Sequence, residues 1–555
     1  MNASDFAQRS PHEVMNQPQP LEDYNLLAGD LPLQEALVRE GAAWALDDIR
    51  RFGAELGSRA VLELGDLANR FEPELITYDR HGRRVDQVRY HPAYHELMRI
   101  QTESGFNGLP WSSDRPGRYV ARAAAYHLKH QVEQGTSCPG TMTFAVIPSL
   151  RVQPELAAQW EPLATAPRYD PRFLPAAQKQ GVLFGMAMTE RQGGSDVRSN
   201  ATKATPASTA GPGQPYLLDG HKWFCSAPMC DAFLVLAQAA GGLSCFLVPR
   251  HLPDESVNPF RIERLKSKLG NRSNASSEIR FEGTMGWLVG EEGRGVATII
   301  EMVRHTRLDC CIGAASLIRR VTAEALHHTA GRFAFGRRLD DQPLMKNVLA
   351  DLCLESEAAT AVAMRLSRAY EEARGDEQAR LFSRLATAIC KFQSTRKETE
   401  VAREALECHG GNGFIEDGPM ARLFRESPLN SIWEGSGNVQ CLDVLRAVSR
   451  EPEALQTVLD ELALARGGNA TYDGWLDGAH RMLGDLADLE YRARHVVEQL
   501  ALGLQASLLV RHAPAAVSEA FVASRLGGAH GQAFGTLPRG TDVDSIIDRS
   551  RPVTS

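Results

Sequence analysis

Residues 181 to about 290 read as strands and are flanked on both sides by long helical stretches, and this order constrains the fold more than any other feature of the chain. GVLFGMAMTE, WFCSA, AFLVLAQAA and SCFLVPR are short apolar or alternating runs separated by Gly, Pro and Asp, and the pattern continues through SSEIRFEG to near Gly290. Strands gathered in one block, not alternating with helices, argue against a doubly wound parallel sheet. Residues 15–180 read as mainly helical: Leu33 to Leu56 carries apolar residues at helical spacing, and RYVARAAAYHLKHQVEQG repeats it with Gly135 as a helix stop. Helical spacing returns at Gly295, with breaks at Gly331 to Pro343 and Gly410 to Gly418. Residues 450–555 form a further block, in which DELALA and MLGDLADLEYRARHVVEQLALGLQASLLV predict at least two helices. The last 20 residues, with Pro538, Gly540 and Pro552, are expected to fray. The expectation is an α+β chain, mainly α, in four segments: 1–180, 181–294, 295–449 and 450–555.

At 43% hydrophobic and 23% charged residues, the 555-residue chain has the composition of a soluble globular protein. Its net charge of −8 argues against a wholly basic nucleic-acid binder, though not against a local basic patch. The ten cysteines form no CxxC pair, so no zinc site or disulfide framework is expected, and reduced thiols in a cytosolic protein fit best. MNASDFAQRSPHEV lacks the apolar core of a secretory signal. No apolar run approaches the ~20 residues that span a bilayer.

Five segments carry candidate chemistry. In SIWEGSGNVQCLD, Glu434 sits between an aromatic residue and a Gly-Ser-Gly-Asn loop. A carboxylate among apolar neighbours loses hydration and moves toward the pKa range of a general base, while Gly435 and Gly437 let backbone amides approach a ligand. A surface Glu in a glycine turn would carry the same pattern. MAMTERQGGSD brings an apolar strand into a turn. Met186 and Met188 share a strand face, the Thr189 hydroxyl suits a ring heteroatom, and Ser195 after two glycines suits a phosphate oxygen. In HKWFCSAP, Phe224 can stack on a planar ring with Cys225 and Ser226 beside it, or Trp223 and Phe224 can pack in the core. RFAFGRRLDDQPL offers Arg332 and Phe335 at a helix break, and arginine suits a pyrophosphate because it binds bidentately. ECHGGNGF offers Gly410 and Gly411, either as a phosphate turn or as a plain helix end. KLGNRSN, Lys268 to Asn274, is a polar turn with no derivable chemistry.

In this order the five segments resemble those of the acyl-CoA dehydrogenase superfamily. Longer phrases such as CPGTMTFA, MTERQGGSDV, RLKSKLGNRSNAS and NSIWEGSGN resemble its AidB branch, associated with the bacterial adaptive response to DNA alkylation. The resemblance implies a helical N-terminal domain, a middle β-barrel-like domain, a C-terminal four-helix bundle, and here an extra helical appendix. It implies FAD as cofactor and a homo-oligomer, a tetramer, in which a neighbouring subunit completes each site. Thr189, Ser195, Phe224 and Ser226 match flavin-facing positions, and Arg332 matches the arginine reaching a partner's FAD. Ile432, Trp433, Gly435, Ser436 and Asn438 match the loop under the cofactor. Glu434 matches the glutamate that removes the α-proton of an acyl-CoA thioester while hydride leaves the β-carbon. Some relatives carry that base on an earlier helix, but Thr306, beside Arg307, is not acidic. The branch also implies duplex DNA as a partner and no membrane. Against DNA stands the block from Arg450 onward, with ten arginines, no lysines and fourteen acidic residues, a net of −4. Arg492, Arg494 and His495 are expected to line one helix face there, and Arg337, Arg338, Lys391, Arg396 and Lys397 are expected to supply basic surface on the bundle. The alternative reading is an ordinary acyl-CoA dehydrogenase without a DNA role, and a third is a flavin-stabilised scaffold.

Overall fold

The computed structural model describes residues 12–485 and 487–554, so most of the N-terminal stretch read for a signal lies outside the described residues. The chain divides into two compact units.

One unit comprises residues 60–115 and 133–309. Its first strands are a hairpin, β1 (Glu74–Tyr78) and β2 (Arg84–Arg89), in a region expected to be helical. Asp79 closes its turn by accepting the amides of His81 and Arg83. The main sheet contains β3 (Phe184–Ala187), β4 (Lys203–Pro206), β5 (Pro215–Ser226), β6 (Ala232–Ala239), β7 (Gly242–Pro249), β8 (Phe260–Leu265) and β9 (Ser276–Leu288). Pairings run β6–β4–β5–β9–β7 and back to β6, so five strands close on themselves, with β3 added beside β6 and β8 beside β9. Closure explains the burial of the apolar run in β6, whose first six residues are all buried. Glu133 ties the KLGNRSN turn to the helices of this unit. Its carboxylate accepts from Asn69 Nδ2, the amides of Gly135 and Thr136, and the hydroxyls of Thr136 and Ser273. Gly135 is therefore more than a helix stop, because a Cβ there would lie 1.9 Å from Ser273 Oγ.

The other unit comprises residues 1–59, 116–132 and 310–555. Its bundle is built on the helices Pro343–Glu372, Glu377–Cys408, Gly437–Arg450 and the later part of Gly295–Gly331. Pro343 opens one helix at a position where the missing N–H costs nothing, and Asp376 caps the next by accepting the amides of Gln378 and Ala379. Between Gly331 and Pro343 a short hairpin forms, β10 (Phe333–Ala334) with β11 (Arg337–Arg338). Leu33 to Leu56 is not one helix. Leu31–Arg39 and Leu46–Leu56 are separated at Gly41, whose φ of 90° no helix accommodates. The long apolar run of the appendix likewise divides into Ala470–Gly484 and Leu489–His512.

The chain end does not fray. Helix Val543–Asp548 buries Ile546 and Ile547. Arg549 pairs with both Glu35 and Glu357, and Ser550 O accepts from Arg319 Nη1 at 2.7 Å. Long-range ion pairs outweigh the local effect of Pro and Gly.

Candidate functional site

In the barrel unit the end of β3, the turn after it and the end of β5 come together. The amide of Trp223 donates to Thr189 O at 2.9 Å, and the Arg191 amide donates to His221 Nε2 at 3.1 Å. Met186, Met188, Thr189 and Ser226 are half-buried, while Ser195 is exposed. Gly194 closes the turn, since a Cβ there would meet Thr189 Oγ1 at 2.4 Å. Phe224 is 52% exposed, with Lys266 Nζ 4.8 Å from its ring centroid. Trp223 has Lys266 Nζ 3.4 Å from its ring centroid, so that face is covered by a cation. Cys225 is fully buried and burial pushes its thiol up to about 12, so its side chain offers nothing to a ligand.

A buried ion pair clamps these strands. Lys222 Nζ donates to Glu190 Oε1 at 2.8 Å and to Leu236 O at 2.7 Å. Glu190 also accepts the amides of Ala201 and Thr202 and the Gln192 side chain. Burial alone would raise the Glu190 carboxyl, but the Lys222 ammonium and these hydrogen bonds hold it down at about 2.

In the helical unit the loop carrying Glu434 leads into helix Gly437–Arg450, whose N-terminus has no side-chain cap. Amide donors there are thus available to an anion, as are the exposed Ser436 and Asn438. Glu434 is half-buried and has φ 57°, a left-handed conformation uncommon outside glycine, and Gly435 follows at φ 95°. Lys391 Nζ donates to the carbonyls of Asn430, Trp433 and Gly435 at 2.9–3.0 Å. Gln440 Nε2 donates to the carbonyls of Glu434 and Gly435. Trp433 Nε1 donates to Asn430 Oδ1, and Asn430 Nδ2 reaches the Glu398 carboxyl, which burial pushes well above the usual range. Ile432 is 63% exposed.

The remaining candidates lie elsewhere in this unit. Phe335 and Gly336 form the two-residue turn of the β10–β11 hairpin, both with positive φ, and the Phe335 ring is 97% exposed. Arg332 donates to the Asn16 carbonyl, and the Asn16 side chain pairs with the Phe333 backbone. Gly410 and Gly411 follow the end of helix Glu377–Cys408, where the His328 and His409 rings lie 4.4 Å apart. Lys391 and Gly410 are separated by roughly 28 Å of helix at 1.5 Å per residue. Gly410 and Gly411 are therefore not brought to the Glu434 loop within one subunit. Lys391 is not basic surface as expected, being 1% exposed. Arg492, expected on a basic face, pairs with Asp485.

A strand-closed barrel in one unit, with a threonine–glycine–serine turn next to an exposed aromatic, and a long-helix bundle in the other, with a glutamate on a pinned loop, are the parts of an acyl-CoA dehydrogenase-type flavoprotein. Three family descriptions match in order: "Adaptive response protein AidB N-terminal domain" over residues 16–171, "Acyl-CoA dehydrogenase, middle domain" over 185–284, and "Acyl-CoA dehydrogenase, C-terminal domain" over 293–449. The putative acyl-CoA dehydrogenase AidB of Escherichia coli K12 is 45% identical over 91% of this chain and 92% of its own. Among solved structures, Bd2924 in its apo-form superposes with TM-score 0.82 at 26% identity, covering 90% of this chain and all of that one. Caenorhabditis elegans ACDH-11, solved with C11-CoA, gives 0.83 at 24% identity over 98% and 94%, which bears on the fold alone. The chain belongs to the acyl-CoA dehydrogenase family, in its AidB branch, and is an FAD-dependent oxidoreductase by class.

Proposed function

We propose that the chain is an AidB-type flavoprotein in which Glu434 is the general base toward an acyl-CoA thioester. We propose further that its cellular role is protection of DNA against alkylation, in the cytoplasm and as a homotetramer. The observation that carries the first part is the Glu434 loop. A non-glycine residue at positive φ persists only where its surroundings over-determine it, and five hydrogen bonds from Lys391 and Gln440 do so here. When bound, FAD supplies the hydride acceptor for the substrate β-carbon. Glu434 takes the α-proton. In the barrel unit the hydroxyls of Thr189 and Ser226 would orient the ring edge, Phe224 would present a stacking face and Ser195 would suit a phosphate oxygen; in the helical unit Ser436, Asn438 and the uncapped helix N-terminus would suit phosphate oxygens. Arg332, Phe335, Gly410 and Gly411 are assigned to the neighbouring subunit's site. The exposed Phe335, Leu344 and Phe414, at 97%, 81% and 81%, support an assembly that covers them.

The DNA role rests on the resemblance to the AidB branch, supported by the match to "Adaptive response protein AidB N-terminal domain". The appendix supports it weakly. Six of its ten arginines are engaged with carboxylates: Arg466, Arg492, Arg511, Arg525, Arg549 and Arg551. Among the described residues Arg450, Arg481, Arg494 and Arg539 have no such partner. Four phosphate contacts give a log–log salt slope of about −3.6 from the appendix. The engaged arginines favour the second reading, an acyl-CoA dehydrogenase without a DNA role. Duplex affinity of the FAD-loaded protein across a salt series decides between them. A slope of that order or steeper supports DNA binding, and no binding at low salt leaves the ordinary dehydrogenase.

A further inference from the structure

Lys391 lies on helix Glu377–Cys408, forty-three residues before Glu434, and no sequence pattern connects the two. Its ammonium is 1% exposed, and its three protons meet three carbonyl oxygens: Asn430 at 3.0 Å, Trp433 at 2.9 Å and Gly435 at 2.9 Å. Two of those carbonyls belong to the residues immediately before and after Glu434. The carbonyl of Glu434 itself accepts from Gln440 Nε2 at 3.0 Å, so three successive carbonyls face donors inside the protein. A charged donor to a carbonyl makes a stronger bond than a neutral one, and a buried ammonium satisfied in this way is not easily released. The nearby Glu398 carboxyl is engaged by Asn430. The three carbonyl bonds tie the lysine to the loop backbone on either side of Glu434.

We infer that Lys391 is the positioning residue of the reaction: its ammonium, seconded by Gln440, holds Glu434 in the left-handed conformation from which its carboxylate meets the substrate. The inference rests on Glu434 as base, yet it makes a separate claim about the loop. A base displaced by about 1 Å costs on the order of 10²-fold in rate while substrate affinity is kept.

The test uses the FAD-loaded full chain and two variants, Lys391→Met and Gln440→Leu, with Arg403→Met on the same helix as control. Hydrogen exchange is followed for the amides of Ile432, Trp433 and Gln440, which are bonded within the segment. In both loop variants exchange should rise at least tenfold, with the control unchanged. Anaerobic flavin reduction by saturating acyl-CoA, per bound FAD, should fall about 10²-fold, with substrate Kd within threefold of wild type. If Lys391→Met does not fold, Gln440→Leu alone carries both readouts. Unchanged exchange overturns the inference, and so does faster exchange with an undiminished rate per flavin. If the wild-type protein is reduced by no acyl-CoA, the base assignment fails, and the inference fails with it as a statement about catalysis. Exchange then decides only whether Lys391 locks the loop.

Discussion

Replacing Lys222 by Met leaves Glu190 buried without its cation. Both side chains are fully buried in the barrel unit, 2.8 Å apart. A carboxyl held at about 2 instead of the ordinary 4.5 corresponds to roughly 3 kcal/mol at neutral pH. Part of that belongs to the Ala201 and Thr202 hydrogen bonds, which remain. The Leu236 carbonyl loses its donor, adding about 1 kcal/mol or more. The net loss is about 3 kcal/mol, at the lower end for breaking a buried pair. For a unit of this size that is a fall of roughly 6–12 °C in Tm. The sign with pH follows from the depressed carboxyl. Its stabilisation is present above about 4.5 and is lost as pH falls through about 2, so the deficit of the variant should shrink across that window. Thermal unfolding by calorimetry at pH 7 and pH 4 measures both, and the double variant Lys222→Met with Glu190→Gln should recover part of the loss. A drop below about 1 kcal/mol at pH 7 would refute the view that this pair clamps the turn carrying Thr189 to the strand carrying Phe224.

If Arg332 makes the proposed bidentate contact to a pyrophosphate, Arg332→Gln should weaken FAD retention by about 1.5–3 kcal/mol, read as FAD released during dialysis. Retention equal to wild type would remove Arg332 from the cofactor site. Arg525→Met leaves the buried Asp351 and Glu355 without their shared cation and should destabilise the docked chain end by about 3–5 kcal/mol, seen as faster proteolysis beyond residue 525. A variant ending near Arg450 should keep part of any duplex binding, since few appendix arginines are available for phosphates.

Much of the fold was legible because the barrel strands alternate and are separated by turn residues. The β1–β2 hairpin was not, since ELITY and RVDQVR are only half covered and carry a weak apolar signal. The chain end was misread for a different reason. Pro538 and Gly540 are local signals, whereas Arg549 finds Glu357 and Glu35 at sequence separations of 192 and 514, which leave no local trace. Within the proposed site, the glutamate, the glycine turns and the exposed aromatics are legible only as residue types suited to a flavin and a base. Their supports were not. Lys391 reads as one more basic residue on a helix, and only the folded chain shows that its acceptors are backbone oxygens. Lys222 and Glu190 flank the expected contacts on both strands, yet nothing in MTE or HKW marks them as partners.

The central claim is that Glu434 is the base of an acyl-CoA dehydrogenase site, and anaerobic flavin bleaching by short straight and branched acyl-CoAs, normalised to bound FAD, tests it most directly. The wild-type protein should be bleached by at least one of them. Glu434→Gln, nearly isosteric, should keep FAD and its Tm but lose about 10²–10⁴-fold in rate. Bleaching of Glu434→Gln at the wild-type rate per flavin, or no bleaching of the wild-type protein by any acyl-CoA, would contradict the account.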